Sequence, residues 1–195
     1  LDGQTEADLP EALTHWLAQR PDAEVVMQVG MFRREKGHHI VLEAIAQLLA
    51  TRPNVVYVMA GGGKSDALIA HIERLGLQDK VWMGELRAIA PALRQADVMV
   101  MPSLLEPLGM VQIEALGLAV PVIVSNVGGI PETVTHQRTG LIVDDMSPEA
   151  WAHAIDYALS HPDTMRAWAR AGQTQVRQQF SPEHTTKRLL QLLNA

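Results

Sequence analysis

The chain has 195 residues, 47% of them hydrophobic and 19% charged, enough for one full domain with a substantial core. A formal charge of −6 and only 4% aromatic residues argue against a nucleic-acid surface, a polybasic membrane face and a base-stacking platform. Cysteine is absent, which excludes disulfides, thiolate nucleophiles and cysteine zinc sites. No signal peptide opens the chain and its longest apolar run, residues 115–124, is too short to cross a bilayer, so a soluble, cytoplasmic protein is expected.

Residues 1–22 read as a polar lead-in with an amphipathic helix near residues 9–17. From 23 to 146, short β-rich runs alternate with helical spacing. Strands are predicted over 24–29, 55–60, 80–83, 97–101, 121–124 and 141–143, and helices over 38–50, 66–75, 88–95, 109–118 and 131–136. Such alternation means βαβ units and predicts an α/β fold, a doubly wound, mostly parallel Rossmann-like sheet with helices on both faces. Residues 147–195 turn wholly helical, with helices predicted over 148–160, 162–179 and 182–193. Ser147-Pro148 and Ser181-Pro182 serve as helix-start signals. No repeat, low-complexity tract or linker divides the chain.

In open sheets of this kind ligands sit at the carboxyl ends of the strands. Five loops rich in Gly, Lys and Glu fall there: residues 30–37, 61–64, 84–85, 103–109 and 125–132. In the first, Gly30 is expected to let the backbone turn closely. Lys36 offers a point charge to a phosphate, and Arg33 and Arg34 offer bidentate contacts. The plain alternative is a solvated basic loop. Gly61-Gly62-Gly63-Lys64-Ser65 is not a P-loop, because the position five before Gly63 is Val58. Its glycines suit close approach by a ligand or a neighbouring loop. A supporting role is expected for Gly128-Gly129-Ile130-Pro131-Glu132.

The richest stretch is Ser103 to Gly117, where a buried strand gives way to a glycine turn and then to helical spacing. Unpaired N–H groups at such a junction favour an anion. Glu106 lies in the turn, and Glu114 lies ~7 Å above Gly109 at a rise of ~1.5 Å per residue, leaning back toward the mouth of the loop. Two carboxylates would repel a phosphate, but they suit hydroxyls on either side of it, a sugar on one and a ribose on the other. The alternative makes Glu106 solvated and Glu114 merely well placed near a helix start. The histidines show no metal spacing, Asp144-Asp145 is not an Asp-x-Asp motif, and no G-x-S-x-G occurs.

Taken in order, these motifs resemble the C-terminal half of the group 1 (family 4) retaining glycosyltransferases of the GT-B fold, from about Val25 to the end. They are Glu35-Lys36-Gly37, Ala60-Gly61-Gly62-Gly63, Val81-Trp82-Met83-Gly84, Ala96-Asp97 through Pro102-Ser103, Glu106-Pro107-Leu108-Gly109 with Glu114-Ala115-Leu116-Gly117, Gly128 to Glu132, and Thr139 to Val143. The most specific is Glu-x7-Glu, from Glu106 to Glu114. The resemblance implies that the domain binds a nucleotide diphosphate sugar, with a UDP-linked sugar the favoured donor. Glu106 would hold the sugar and Glu114 the ribose, with Lys36 and the amides at Gly109, Met110 and Val111 on the diphosphate. Gly84, Glu85 and Leu86 would lie near the base, and Gly30, Arg33, Arg34, Gly62 and Ser103 would line the same site. It implies no metal or other cofactor. Met31 stands where the family commonly has arginine, and Leu108 where it often has phenylalanine.

A chain opening at Leu1 is expected to lack an upstream acceptor-binding domain, against which the last helix would pack. Any peripheral membrane contact would arise on that missing half. Two other readings remain: a sugar-nucleotide epimerase of GT-B-like fold, and a non-catalytic nucleotide-sugar-binding subunit.

Overall fold

The computed structural model describes residues 9–180 and residue 186. Six parallel strands form one sheet: β1 (Glu24–Val29), β2 (Val55–Ala60), β3 (Val81–Gly84), β4 (Val98–Met101), β5 (Val122–Ser125) and β6 (Leu141–Val143). Their spatial order is β3-β2-β1-β4-β5-β6. This is the doubly wound, Rossmann-like arrangement expected from the alternation.

The strands are apolar almost throughout because both faces are covered. Successive side chains leave a strand on opposite sides, so Val26 enters one core while Val25 and Met27 enter the other. The first core joins the sheet to α2 (His38–Leu48), α3 (Asp66–Arg74) and α6 (Pro148–Ser160) through Val41, Leu42, Ile45, Ile72, Trp151 and Ile155. The second joins it to α1 (Glu11–Ala18), α4 (Ile89–Leu93), α5 (Val111–Gly117) and α7 (Pro162–Gln179) through Leu13, Leu93, Ile113, Leu116 and Val176. Each fully buried aliphatic side chain stabilises the fold by roughly 1.5–3 kcal/mol. The Ser147 signal operates as read, its hydroxyl accepting from the Ala150 N–H at 3.3 Å.

Three differences from the predicted elements bear on the loops. The helix expected over 131–136 is only a 3-10 turn, Ile130–Glu132. There Thr133 donates its hydroxyl to the Ile130 carbonyl at 2.8 Å, a local bond that competes with helix propagation. Helix α5 begins at Val111, two residues later than expected, because Gly109 takes the left-handed conformation with φ 77°. Strand β4 starts after Asp97, whose carboxylate accepts from the Val25 N–H at 2.7 Å. The lead-in before residue 9 and the helix predicted over 182–193, with its Ser181 start signal, lie outside the described residues.

Candidate functional site

The strand order reverses between β1 and β4, which pair directly. At such a switch point the loops leaving the two strands separate and open a crevice beyond their carboxyl ends. The loop after β1 carries Lys36 in a 3-10 turn, Arg34–Lys36, and the loop after β4 carries Ser103 and Glu106. The two loops are tied together, since the Leu104 N–H donates to the Glu35 carbonyl at 2.7 Å. Across the tie, Lys36 Nζ meets Glu106 Oε2 at 2.5 Å, with Ser103 Oγ 3.5 Å from the same oxygen. Residues 70 positions apart, singled out separately in the sequence, thus share one hydrogen bond.

Ser103 is fully buried, so its hydroxyl acts through Glu106 and does not line the crevice. Its carbonyl accepts from Ser125 Oγ at 2.7 Å, which fixes this loop to the end of β5. Glu114 sits in the first turn of α5. Its Oε2 is buried without a partner, and burial raises its carboxyl above the usual range. An unmet acceptor of this kind suits a hydroxyl donor. Met110 is exposed and Val111 half-buried at the helix start, while Gly109 is buried. The amides of Leu108, Gly109 and Met110 make no hydrogen bond among the described residues.

Arg33 and Arg34 are exposed, and Arg33 approaches Glu35 only at 3.8 Å. The chain bends at Gly30, where a side chain would meet only the Lys36 methylenes at 3.7 Å, and the close backbone approach is at Gly61, which packs on the Gly30 carbonyl. Gly30 donates to the Ala60 carbonyl at 2.9 Å, and Gly62 accepts from the Phe32 N–H at 2.8 Å, so the loops after β1 and β2 are laced together. Gly62 also lies against the Glu85 side chain. Gly84 ends β3 beneath the Trp82 ring, followed by exposed Glu85 and half-buried Leu86. Strand β3 stands two places from β1, so these residues lie ~10 Å along the sheet from the Lys36 loop. The 126–132 loop plays the supporting part expected of it, with the Gly129 N–H donating to the Pro107 carbonyl at 2.9 Å.

Several side chains that hold this site went unread in the sequence. Gln28, buried in β1, donates to the Lys36 carbonyl at 2.7 Å and accepts from the buried Tyr57 hydroxyl. A lone polar residue in an otherwise apolar strand was the available signal. His38 is buried with Nε2 3.2 Å from the Met31 carbonyl, and burial lowers its pKa from 6.5 to about 4. It is therefore neutral near pH 7 and donates Nε2–H to that carbonyl, against the edge of the Phe32 ring. Gln112, a polar residue fully buried in α5, is a further one.

The sheet order and the crevice at its switch point define a doubly wound ligand-binding domain of the kind that grips phosphorylated ligands at its carboxyl edge. The family described as "Glycosyl transferases group 1" matches residues 16–175, and the chain belongs to it. It is 36% identical over 178 residues to the D-inositol 3-phosphate glycosyltransferase of Segniliparus rotundus, covering 87% of this chain and 39% of that one. It is 33% identical over 184 residues to the alpha-maltose-1-phosphate synthase of Mycolicibacterium smegmatis, covering 86% and 47%. The chain thus spans less than half the length of these curated relatives.

Among solved structures, the fold matches Anabaena HepE in complex with UDP-glucose, with a TM-score of 0.84, 24% identity, and coverage of 98% of this chain and 53% of that one. It also matches sucrose-phosphate synthase from Thermosynechococcus elongatus, with a TM-score of 0.81, 30% identity, and coverage of 93% and 48%. No helix of the described residues is long and apolar enough to cross a membrane.

Proposed function

We propose that this chain is the donor-binding domain of a retaining hexosyltransferase that takes its sugar from a nucleoside diphosphate, UDP before other bases, and delivers it to a hydroxyl of a glycan or glycolipid. The observation that carries this reading is the meeting of Lys36 and Glu106 at 2.5 Å across the switch point, beside the unpaired amides of residues 108–110. A cation and free N–H groups suit a diphosphate, while acceptor-only carboxylates on either side suit hydroxyls. Membership of the group 1 glycosyl transferases supports sugar transfer, and a fold neighbour in complex with UDP-glucose supports this class of donor.

In the reaction Lys36 and the loop amides stabilise the diphosphate as the glycosidic bond breaks and negative charge collects on it. Glu106 orients the sugar by accepting from its hydroxyls, and Glu114 does the same for the ribose. Arg33 and Arg34 supply mobile charge where Met31 offers none. Charge neutralisation is assigned to these groups, with no metal ion. The acceptor is selected by a second domain outside this chain, which also provides any contact with a membrane, and the intact protein works in the cytoplasm. Alone, the chain binds donor and transfers little.

Isothermal calorimetry with UDP, GDP and ADP tests the reading. Binding of at least one at millimolar concentration or tighter is expected, and Glu114→Ala weakens it. Failure of all three to bind overturns the assignment. Product analysis on a two-domain protein separates transfer from epimerisation, and tight donor binding without turnover there would mark a non-catalytic subunit.

A further inference from the structure

We infer that Gln112, through Thr133, is a positioning residue that sets the orientation of the diphosphate-binding peptide units. The inference rests on the donor-binding reading above and extends it to a residue with no contact to the ligand. Gln112 is fully buried, in the first turn of α5. Its Nε2 lies 2.6 Å from the Leu108 carbonyl oxygen and 3.1 Å from Thr133 Oγ1. Thr133 spends its own proton on the Ile130 carbonyl at 2.8 Å, so toward Gln112 its oxygen only accepts. The Leu108 carbonyl also only accepts. Both partners therefore call for the NH2 end of the side chain, which fixes which way the amide faces.

A trans peptide unit carries its C=O and N–H on opposite sides. Holding the Leu108 oxygen toward Gln112 turns the Gly109 N–H away from it. The neighbouring unit is set likewise, because the Pro107 oxygen accepts from the Gly129 N–H at 2.9 Å and the Leu108 N–H must face away from Gly129. Both of these amides make no hydrogen bond among the described residues, although Gly109 is buried. N–H groups left without a partner in a folded chain are uncommon away from water, so such a pair held in register suits an acceptor from outside the chain.

The rest of the local structure is consistent with this device. Gly109 has φ 77°, and a side chain at that position would run into the Gln112 amide. Glycine is required there by the conformation and by the presence of Gln112 alike. Gln112 Oε1 is left buried and unpaired, an unfavourable arrangement accepted so that both amide protons can be used. Thr133 belongs to the supporting loop after β5, so the clamp joins that loop to the turn that carries Glu106.

The test separates phosphate recognition from fold. Calorimetry compares UDP, ADP and GDP, each with its parent nucleoside, on the wild-type chain and on Gln112→Met, which keeps length and loses the donor. The diphosphate that the wild type binds should bind Gln112→Met about tenfold more weakly, the loss of one bond to a charged group, while nucleoside affinity holds. A general structural lesion would lower both. Thr133→Val, which keeps the Leu108 bond and removes its anchor, should give a smaller loss of the same kind.

A second measurement needs no variant: on titration of the wild type with the bound diphosphate, the Leu108 and Gly109 amide proton resonances should move downfield, and should not with the nucleoside. If the wild type binds no diphosphate, the donor-binding reading itself fails. If it binds one and Gln112→Met binds equally well, or those two resonances stay still, the positioning role is wrong.

Discussion

The two edges of the sheet are built on opposite principles. At the amino edge the charged groups are spent on one another. Arg52 reaches Glu24 and Asp156 at 2.6 Å each and also bonds Ser160, while Asp97 accepts from the Val25 amide. At the carboxyl edge bonding capacity is held back: Glu114 Oε2, His38 Nδ1, Gln112 Oε1 and the amides of Leu108 and Gly109 are without partners among the described residues. Yet a cavity of about 490 Å³ lies at the amino edge, lined by Glu24, Arg94, Asp97, Ala119 and Arg166. A cavity alone therefore does not mark the edge at which bonding capacity is held back.

If the carboxyl edge is the precise one, disturbing its loops should cost most. Gly37 takes φ 70° at the start of α2, and a side chain there would collide with the Pro102 carbonyl oxygen. Left-handed strain of about 1–2 kcal/mol adds to overpacking of about 1–3 kcal/mol against backbone that cannot rotate away, so Gly37→Ala should lose about 3 kcal/mol in urea denaturation. At the amino edge, Arg52→Ala should lose only about 1–2 kcal/mol, since its partners are partly solvated and take up water instead. It should leave nucleotide binding unchanged. Equal losses from the two variants would erase the contrast.

A comparable effect follows from pH. His38 is held neutral chiefly by burial, against the pull of its backbone bonds and with help from the nearby charges of His39 and Lys36. Its folded pKa of about 4 lies below its unfolded value of 6.5, so the unfolded chain binds the extra proton first. This contribution is therefore complete above pH 6.5 and is lost as pH falls toward 4, at up to ~1.4 kcal/mol per pH unit. His38→Gln should flatten that part of the stability curve, and an unchanged curve would mean that the ring opens to solvent without cost.

The strands, their order along the chain and the residues on either side of the switch point were legible because they obey short rules. Buried parallel strands are apolar runs, and loops at their carboxyl ends collect Gly, Lys and Glu. What stayed hidden was set by partners distant in sequence. Nothing near Lys36 says that its ammonium faces Glu106, or that its carbonyl is held by Gln28 and through it by Tyr57. The helix expected over 131–136 was lost to a local bond whose donor is also tied across the fold. Thr133 is committed to the Ile130 carbonyl and to Gln112, and only the second bond crosses the fold. Gln112 itself falls on the core stripe between Val111 and Ile113, where periodicity reads a position and not a hydrogen bond.

The smallest expected effect is the most diagnostic, because its sign runs against intuition. Removing the charge of a residue in the binding crevice ordinarily weakens binding. Here the Glu106 carboxylate engages Lys36, with only 12% of the Glu106 side chain and 27% of the Lys36 side chain exposed. A diphosphate must compete with that carboxylate for the ammonium and also bears its repulsion. In Glu106→Gln the ammonium is released and the like charge is gone, so free UDP should bind more tightly, by about fivefold if the pair is worth ~1 kcal/mol. Sugar transfer by the two-domain protein should fall in the same variant, since an amide cannot accept from sugar hydroxyls as a carboxylate does. Calorimetry at low and high salt measures the first effect, and the gain should shrink as salt screens the pair. Weaker UDP binding in Glu106→Gln would show that Glu106 assists the phosphate site, and the division of labour between Lys36 and Glu106 would have to be redrawn.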